Sequence, residues 1–439
     1  AMVDYLPTGG HRFVESYDIN EILKTPDDSP QGYLIRLDLI FPEETHELLR
    51  QYPPAPENTA PKEEWLTPFQ RELAARNGIK TKTKQQKLIP HLHPHNDYVI
   101  DYRNLKYLVS LGVEVKPEHV KAVVRYDQSR WLKPYIDLNT AMRKQAKNEF
   151  EKDFYKLMNN SVFGKTMENV RNRMQLHLTA DDRNAEKWFS KPHFKNCTET
   201  FGLYMIELYK QEVCLDKPIY VGTTILDLSK LLMMRFHYDV IEKDFKNRYN
   251  LLYSDTDSFV YEIITDDVYD WIKEKKSLSD LSEGVRPDVV DNENNKKLGM
   301  MKAELKTLIM KEFISLNPKV YSMTFKDDDE KMKIPSRNIK KLKGVSKATV
   351  KHDITHEDYK HVMNTGEALS RKTVGIRSYK HQLYTTEAEK LCLSSWYDKM
   401  QMQSPFECVP FGYVPLGDSP RAPLVSDPTA WRIAKPANG

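Results

Sequence analysis

Leu251-Leu252-Tyr253-Ser254-Asp255-Thr256-Asp257-Ser258-Phe259-Val260-Tyr261 decides the fold, because two apolar, β-prone runs flank an acidic bend. Runs of that kind separated by turn residues pair as a β-hairpin. Asp255 and Asp257 stand two apart, so in extended backbone both carboxylates leave the same face. Like charges at about 4 Å repel by about 4 kcal/mol at a protein-surface dielectric unless a cation lies between them. A pair of carboxylates suits Mg²⁺, which keeps waters and accepts substrate phosphates, with Mn²⁺ able to substitute. Two such ions can activate a 3′-hydroxyl and stabilise leaving pyrophosphate in an in-line phosphoryl transfer. Aspartate and serine are also ordinary turn residues, so the same bend taken alone reads equally as a plain hairpin tip.

Working outward, Thr140 to Ser161 is rich in Ala, Lys, Glu and Met, lacks Gly and Pro, and reads as a helix. On it Lys152, Lys156 and Asn160 recur every fourth residue and Phe163 follows seven after Lys156. At 100° per residue the four share a stripe of about 80°. Such a stripe can offer ammonium groups to a triphosphate, then an amide and a ring to a sugar and base. A solvated amphipathic helix has the same pattern. Residues 31–42 read as a strand stopped by Pro42, and four prolines between Pro53 and Pro61 suit an extended loop. Tyr98 to Gly112 ends like a helix. Tyr220 and Val221 read as strand, Ile225 to His237 as an apolar helix, and Leu251 to Ile264 as strand again. Short helices and loops are expected after residue 340, and a loosely ordered Pro-, Gly- and Ala-rich tail from Pro410. Lys331 to Lys351 carries Lys331, Lys333, Arg337, Lys340, Lys341, Lys343, Lys347 and Lys351 and no acid, which suits either a solvated face or a phosphate-binding one.

The 439 residues suffice for two or three subdomains around a sizeable core. A net charge of +3 gives no global argument for a nucleic-acid partner. The four cysteines, Cys197, Cys214, Cys392 and Cys408, form no Cys-x-x-Cys pair. That speaks against a zinc ribbon and a disulfide scaffold and fits a reducing intracellular compartment, such as nucleus, cytoplasm or a viral replication site. No apolar run approaches the roughly 18 to 20 residues needed to cross a bilayer, so no membrane partner is expected. Residues 1–10 lack the features of a signal peptide, and the opening Ala1 suggests a piece of something longer.

Three segments then carry a resemblance. Lys156-Leu157-Met158-Asn159-Asn160-Ser161-Val162-Phe163-Gly164 resembles the family-B DNA polymerase pattern Lys-x₃-Asn-Ser-x-Tyr-Gly, with Phe163 in the tyrosine's place. Tyr253-Ser254-Asp255-Thr256-Asp257-Ser258 resembles that family's Tyr-x-Asp-Thr-Asp-Ser, and Lys319-Val320-Tyr321 its Lys-x-Tyr, in the family's order. Trp131 to Ile136, Lys152 to Asn160, Leu215 to Gly222, Lys343 to Val345 and Arg377 to His381 look like the protein-primed polymerases of Maverick/Polinton-type transposons and related DNA viruses. The resemblance runs from residue 1 to about 399. A reverse transcriptase or RNA polymerase shares a carboxylate hairpin, but the Lys-x₃-Asn-Ser-x-Phe-Gly helix ahead of it speaks against both.

The resemblance implies an α+β right-hand polymerase. Residues 1–138 would be palm with an insert of the priming-protein type, placed at 31–100. Residues 139–172 would be the fingers helix, 173–339 palm with the carboxylate hairpin, and 340–439 thumb and an irregular tail. Asp255 and Asp257 would hold two Mg²⁺ ions, with Asp257 the principal ligand. Lys152 and Lys156 would meet the triphosphate, and Asn160, Ser161, Phe163 and Gly164 the nucleotide's sugar and base. Lys319 and Tyr321 would touch the primer end, and Lys340, Lys341, Lys343 and Lys347 the duplex backbone. The implied partners are primer–template DNA, deoxynucleoside triphosphates and a terminal priming protein. The family's first palm motif and its exonuclease domain are not found; the chain opens on Ala1-Met2-Val3-Asp4-Tyr5-Leu6-Pro7-Thr8-Gly9-Gly10, which resembles the last residues of that motif and the Leu-Pro-x-Gly-Gly segment beyond them. Asp38, ahead of Phe41-Pro42, is the one candidate substitute, with too short a spacing. Phe163 and Ala303, which stands where an Asp is common, depart from the pattern. The expected activity is DNA synthesis in the intact parent and none in the piece alone; the alternative is a catalytically dead, nucleic-acid-binding remnant of a transposon or viral gene.

Overall fold

The computed structural model describes residues 1–416 except 284, 306–309, 326–337 and 380–381. Strand β1 (Leu6–Phe13), helix α1 (Ile19–Lys24) and strand β2 (Gln31–Leu39) open the chain. An excursion over 40–94 follows, with α2 (His46–Leu49), β3 (Glu57–Thr59), α3 (Pro68–Arg76) and β4 (Lys87–Ile89). The chain returns as β5 (His95–Asp101), α4 (Tyr102–Ser110) and β6 (Val120–Ser129). Four of these strands form an antiparallel sheet in the order β1-β6-β2-β5. Alternation along β2 puts Ile35, Leu37 and Leu39 in the core and leaves Arg36 exposed. The strand expected over 31–42 thus forms over Gln31–Leu39, three residues short of Pro42. Strands at both ends of 31–100 belong to this sheet, so the excursion proper is 40–94.

Helix α4 starts where the Asp101 carboxylate caps the Arg103 N–H, and the chain leaves it through Gly112 at φ 93°. The Asp101 carboxylate is fully buried and takes the Arg103 guanidinium at 2.8 and 3.0 Å and the Tyr126 hydroxyl at 2.7 Å. Such a buried pair holds because every polar atom is matched; opening it on one side leaves a bare charge. Against the sheet packs α8 (Ile219–Met234), whose Val221, Ile225, Leu228 and Leu231 are buried. Tyr220 and Val221, expected as strand, lie in its first turn; a short β-branched run does not distinguish strand from buried helix.

The helix expected over 140–161 is two helices, α5 (Lys133–Gln145) and α6 (Glu149–Thr166). Asn148 starts the second one, accepting the Glu151 N–H at 2.8 Å, while the Glu151 carboxylate takes the Lys147 N–H at 2.9 Å. Good helix formers on both sides hide such an internal cap from a propensity reading. The end of α6 lies against α8, where a Cβ on Gly222 would fall 2.3 Å from Met167 Sδ. Residues 175–208 form a separate small unit: β7 (Gln175–Thr179), α7 (Asp182–Phe189), β8 (Phe194–Thr200) and β9 (Leu203–Leu208). Its sheet runs β7-β9-β8 around Ala185, Ile206 and Leu208.

After α8 the path widens into a π-helix over Arg235–Glu242, then α9 (Lys243–Phe245) leads into the hairpin β10 (Tyr249–Asp255) and β11 (Ser258–Ile263). Helix α10 (Val268–Glu274) precedes a three-stranded sheet of β12 (Met310–Asn317), β13 (Val320–Phe325) and β14 (Ile339–Leu342). Helices α11 (Lys347–His352) and α12 (His356–Thr365) cover it. Short helices and loops were expected beyond 340, yet β15 (Leu369–Tyr379) and β16 (Gln382–Leu393) pair as two long antiparallel strands. Their exposed faces mix charged and apolar residues without a clean period-2 signal. The chain then forms β17 (Gln401–Ser404) and β18 (Glu407–Val409), and Phe411 is fully buried beside Trp65 and Ile89. The tail expected to be loose from Pro410 is therefore anchored at its start; 417–439 lie outside the described residues. Among the described residues no helix is long and apolar enough to cross a membrane.

Candidate active site

The hairpin forms as its sequence demands, with Ser254 opposite Phe259 and Asp255 opposite Ser258. That register leaves Thr256 and Asp257 as the two turn residues. Thr256 has φ 55°, and the Asp257 N–H donates to the Asp255 carbonyl at 2.6 Å, a γ-turn about Thr256. A β-branched residue with positive φ is an outlier. The same-face reading of Asp255 and Asp257 therefore needs correction: Asp257 lies in the turn and does not continue the strand. The Thr256 hydroxyl donates to Asp255 Oδ1 at 3.2 Å.

A second hairpin meets the first. Strands β12 and β13 pair Asn317 with Val320, so Pro318 and Lys319 make the turn, and Lys319 has φ 63°. Proline followed by a residue of positive φ is the pattern of a type II turn. This turn sets the Lys319 ammonium 3.0 Å from Asp255 Oδ2, and the Lys319 N–H donates to the Tyr253 hydroxyl at 2.9 Å. The hydrogen bond to Asp255 and its charge raise the pKa of Lys319. Tyr321 packs its ring 5.1 Å from Tyr253 and 5.6 Å from Phe313. Burial first, then the Asp255 charge, raise the pKa of the Tyr321 hydroxyl. Lys341 stands opposite Tyr321 on β14, and the Lys343 N–H donates to the Lys319 carbonyl at 3.1 Å. Lys341, Lys343 and Lys347 are exposed. Lys340 turns away, its ammonium bound to the Ile354 carbonyl and 3.4 Å from that of Lys351. Lys331, Lys333 and Arg337 lie outside the described residues, as do Lys380 and His381.

Behind the hairpin sits a cluster that the sequence reading missed. His237, fully buried on the π-helix, meets the Tyr261 hydroxyl with Nδ1 at 2.9 Å and that of Tyr249 with Nε2 at 3.5 Å. Burial lowers its pKa to about 3. Tyr52 crosses Phe259 edge-on at 5.1 Å, and Gln51 accepts the Leu251 N–H at 2.6 Å. Aromatic residues on a helix and on a distant hairpin give no shared local signal.

Helix α6 stands apart. Lys156, Asn160, Ser161 and Gly164 are exposed, Phe163 leans on the main core, and Lys152 is paired with Glu149 at 2.6 Å. Among the described residues Lys156 has no ion-pair partner, and no hydrogen bond, ion pair or ring contact joins α6 to the hairpin. Asp38 is held by Lys121 at 2.6 Å and by the Asp97 N–H at 2.8 Å, and Lys121 chiefly keeps its pKa low. Its contacts tie it to that charge group and not to Asp255. Asp255 and Asp257 offer carboxylate oxygens that fit Mg²⁺ chemistry, while no third His, Cys, Asp or Glu joins them in a ligand-sized cluster among the described residues.

Phi29 DNA polymerase complexed with primer-template DNA superimposes with a TM-score of 0.49 at 16% identity, covering 89% of this chain and 55% of that one. The same polymerase with primer-template DNA and incoming nucleotides gives 0.47 at 14% identity, with the same coverage of 89% and 55%. The chain thus spans about half the length of these structures. No protein of curated function matches it by sequence. The family of organellar and viral type B DNA polymerases matches residues 2–242, which include the Lys156 helix and stop short of the hairpin. With that match over more than half of the 439 residues, and with the Lys-x₃-Asn-Ser segment inside it, the chain belongs to the organellar and viral type B DNA polymerases, and its α+β architecture is their right-hand fold.

Proposed function

We propose that the intact parent protein carries out template-directed DNA synthesis, adding nucleotides from deoxynucleoside triphosphates to a 3′-hydroxyl on DNA or on a terminal priming protein. The observation that carries this reading is the junction of the two hairpins, where Lys319 pairs with Asp255 and Tyr321 packs on Tyr253. It supports a reacting 3′ end at the carboxylates with Lys319 and Tyr321 beside it. Asp255 and Asp257 would hold Mg²⁺ or Mn²⁺, which supply charge neutralisation for the triphosphate and the leaving pyrophosphate. Tyr321 steadies the primer terminus, Lys156 neutralises the triphosphate with Lys152 a turn away, and Asn160, Ser161, Phe163 and Gly164 border the sugar and base. Palm would comprise 1–138, including the priming-protein insert, and 173–339; fingers 139–172; and thumb the part from 340. With only two carboxylates clustered among the described residues, the 439-residue chain by itself binds DNA without extending it.

The test is primer extension by the longer parent protein and its Asp257→Ala variant, with DNA binding measured alongside. Loss of nucleotide addition by more than about 100-fold, with DNA affinity unchanged, is the expected outcome. A variant retaining a tenth of the parent's rate would overturn the assignment of Asp257. Extension by neither protein, with DNA still bound, would favour a dead remnant.

A further inference from the structure

The excursion over 40–94 brings three potential ligands together at the edge of the main sheet. Glu57 lies on β3, His91 follows β4, and His95 is the first residue of β5, the outer strand of the sheet. One donor atom from each lies within 4.8 Å of the others. The two imidazoles stack at 4.2 Å and 19°, and a nitrogen of His91 stands 3.0 Å from the Glu57 carboxylate. Both histidines are buried, at 2% and 0% exposure.

Hydrogen bonding points beyond ordinary packing. His95 Nδ1 donates to the His93 carbonyl at 2.8 Å, which fixes the tautomer and leaves the Nε2 lone pair free. Among the described residues that buried Nε2 has no hydrogen-bond partner, and neither has His91 Nδ1, the His93 backbone lying beside the His91 ring. The Ala55 carbonyl lies beside the His95 ring without reaching hydrogen-bond geometry at Nε2. A histidine whose far nitrogen is pinned by a carbonyl while the near one faces other ligands is the usual supporting arrangement of a metal-binding imidazole. Trp65 packs its ring against His91, and Phe41 and Tyr98 theirs against His95, while Glu57 is 34% exposed and leaves an entry path.

We propose that Glu57, His91 and His95 bind one zinc-class divalent ion, with water completing the coordination, and that the ion clips the excursion to the main sheet. Imidazole nitrogen selects zinc-like metals over Mg²⁺ and Ca²⁺, so the site takes a different ion from the Asp255–Asp257 pair. A tetrahedral shell needs the donors drawn in to about 3.3 Å of one another, a side-chain adjustment on the order of 1 Å.

The experiment strips the 439-residue chain with a chelator and titrates it with Zn²⁺ against a chromogenic competitor; Co²⁺ absorption reports the ligand field. One equivalent of Zn²⁺ should bind in the presence of excess Mg²⁺ and raise the melting temperature. Asp257→Ala should keep that equivalent. Glu57→Gln, at a half-exposed position that tolerates the change, should weaken binding by about tenfold or more, and His95→Gln should remove it. Failure of the unsubstituted chain to hold Zn²⁺ would overturn the proposal. So would unchanged zinc affinity in the folded Glu57→Gln protein, even if His95→Gln failed to fold.

Discussion

Thr256 is where the hairpin departs from its sequence rules, since a β-branched residue is forced to φ 55° between two aspartates. Backbone in such regions costs on the order of 1–3 kcal/mol and persists where surrounding contacts over-determine it. Those contacts are visible: the Thr256 hydroxyl and the Lys319 ammonium both hold the Asp255 carboxylate, and Lys319 is itself at φ 63°. Two strained turns thus face each other across one carboxylate. Lys156 presents the opposite situation, exposed and without an ion-pair partner among the described residues. If it meets triphosphate, Lys156→Ala should raise the KM for deoxynucleotides at least about tenfold while primer–template affinity stays put. Steady-state kinetics on the parent protein, with a separate DNA-binding titration, check this. A fall in DNA affinity at constant KM would place α6 on the duplex instead.

At the scale of elements, the π-helix over Arg235–Glu242 and the β10–β11 hairpin are joined by polar contacts, chief among them the buried His237 with Tyr261. Burial lowers the His237 pKa to about 3, against about 6.5 when unfolded. The unfolded chain therefore binds a proton here before the folded one does. Stability from this residue is complete above about pH 6.5 and is lost as pH falls toward 3, by up to about 1.4 kcal/mol per pH unit. Denaturant melts between pH 7 and pH 5 should show the loss, and His237→Gln should flatten it over that range; an equal slope in both proteins would assign the effect elsewhere. Nothing in Arg235-Phe236-His237-Tyr238 signals this pairing, because it depends on a hairpin beginning at residue 249. The hairpin itself was legible, since both flanks are apolar and the bend is made of turn formers. Helix α8 was legible only from Ile225, because its first turn is built of residues that also favour strands.

For the whole molecule, the sequence yielded the segments carrying chemistry and missed the scaffold between them. The 175–208 unit and the excursion at 40–94 have short strands with mixed faces, and tertiary pairing alone defines them. The structure joins Tyr253, Asp255, Lys319 and Tyr321, while among the described residues no hydrogen bond, ion pair or ring contact ties α6 to them. A net charge of +3 hides an uneven surface, for Lys341 lies exposed opposite Tyr321, and Lys343 and Lys347 lie exposed further along the chain. Among the described residues none of the three lysines has an ion-pair partner, so they are free to meet phosphates. Lys340 is different, its ammonium held by the carbonyls of Lys351 at the end of α11 and of Ile354 in the connection to α12. Primer–template binding by the 439-residue chain should therefore weaken steeply with salt, because each neutralised phosphate releases a counterion. Replacing Lys341 and Lys343 together by Ala should reduce the slope of log affinity against log salt by roughly two, about 0.9 for each phosphate left without its lysine. Lys340→Ala should leave that slope unchanged and lower the melting temperature instead, since its ammonium serves the fold. Fluorescence anisotropy across a salt series reads both variants. An unchanged slope in the double variant would move the DNA path away from β14, and a reduced slope in Lys340→Ala would show that its ammonium leaves the carbonyls to meet the duplex.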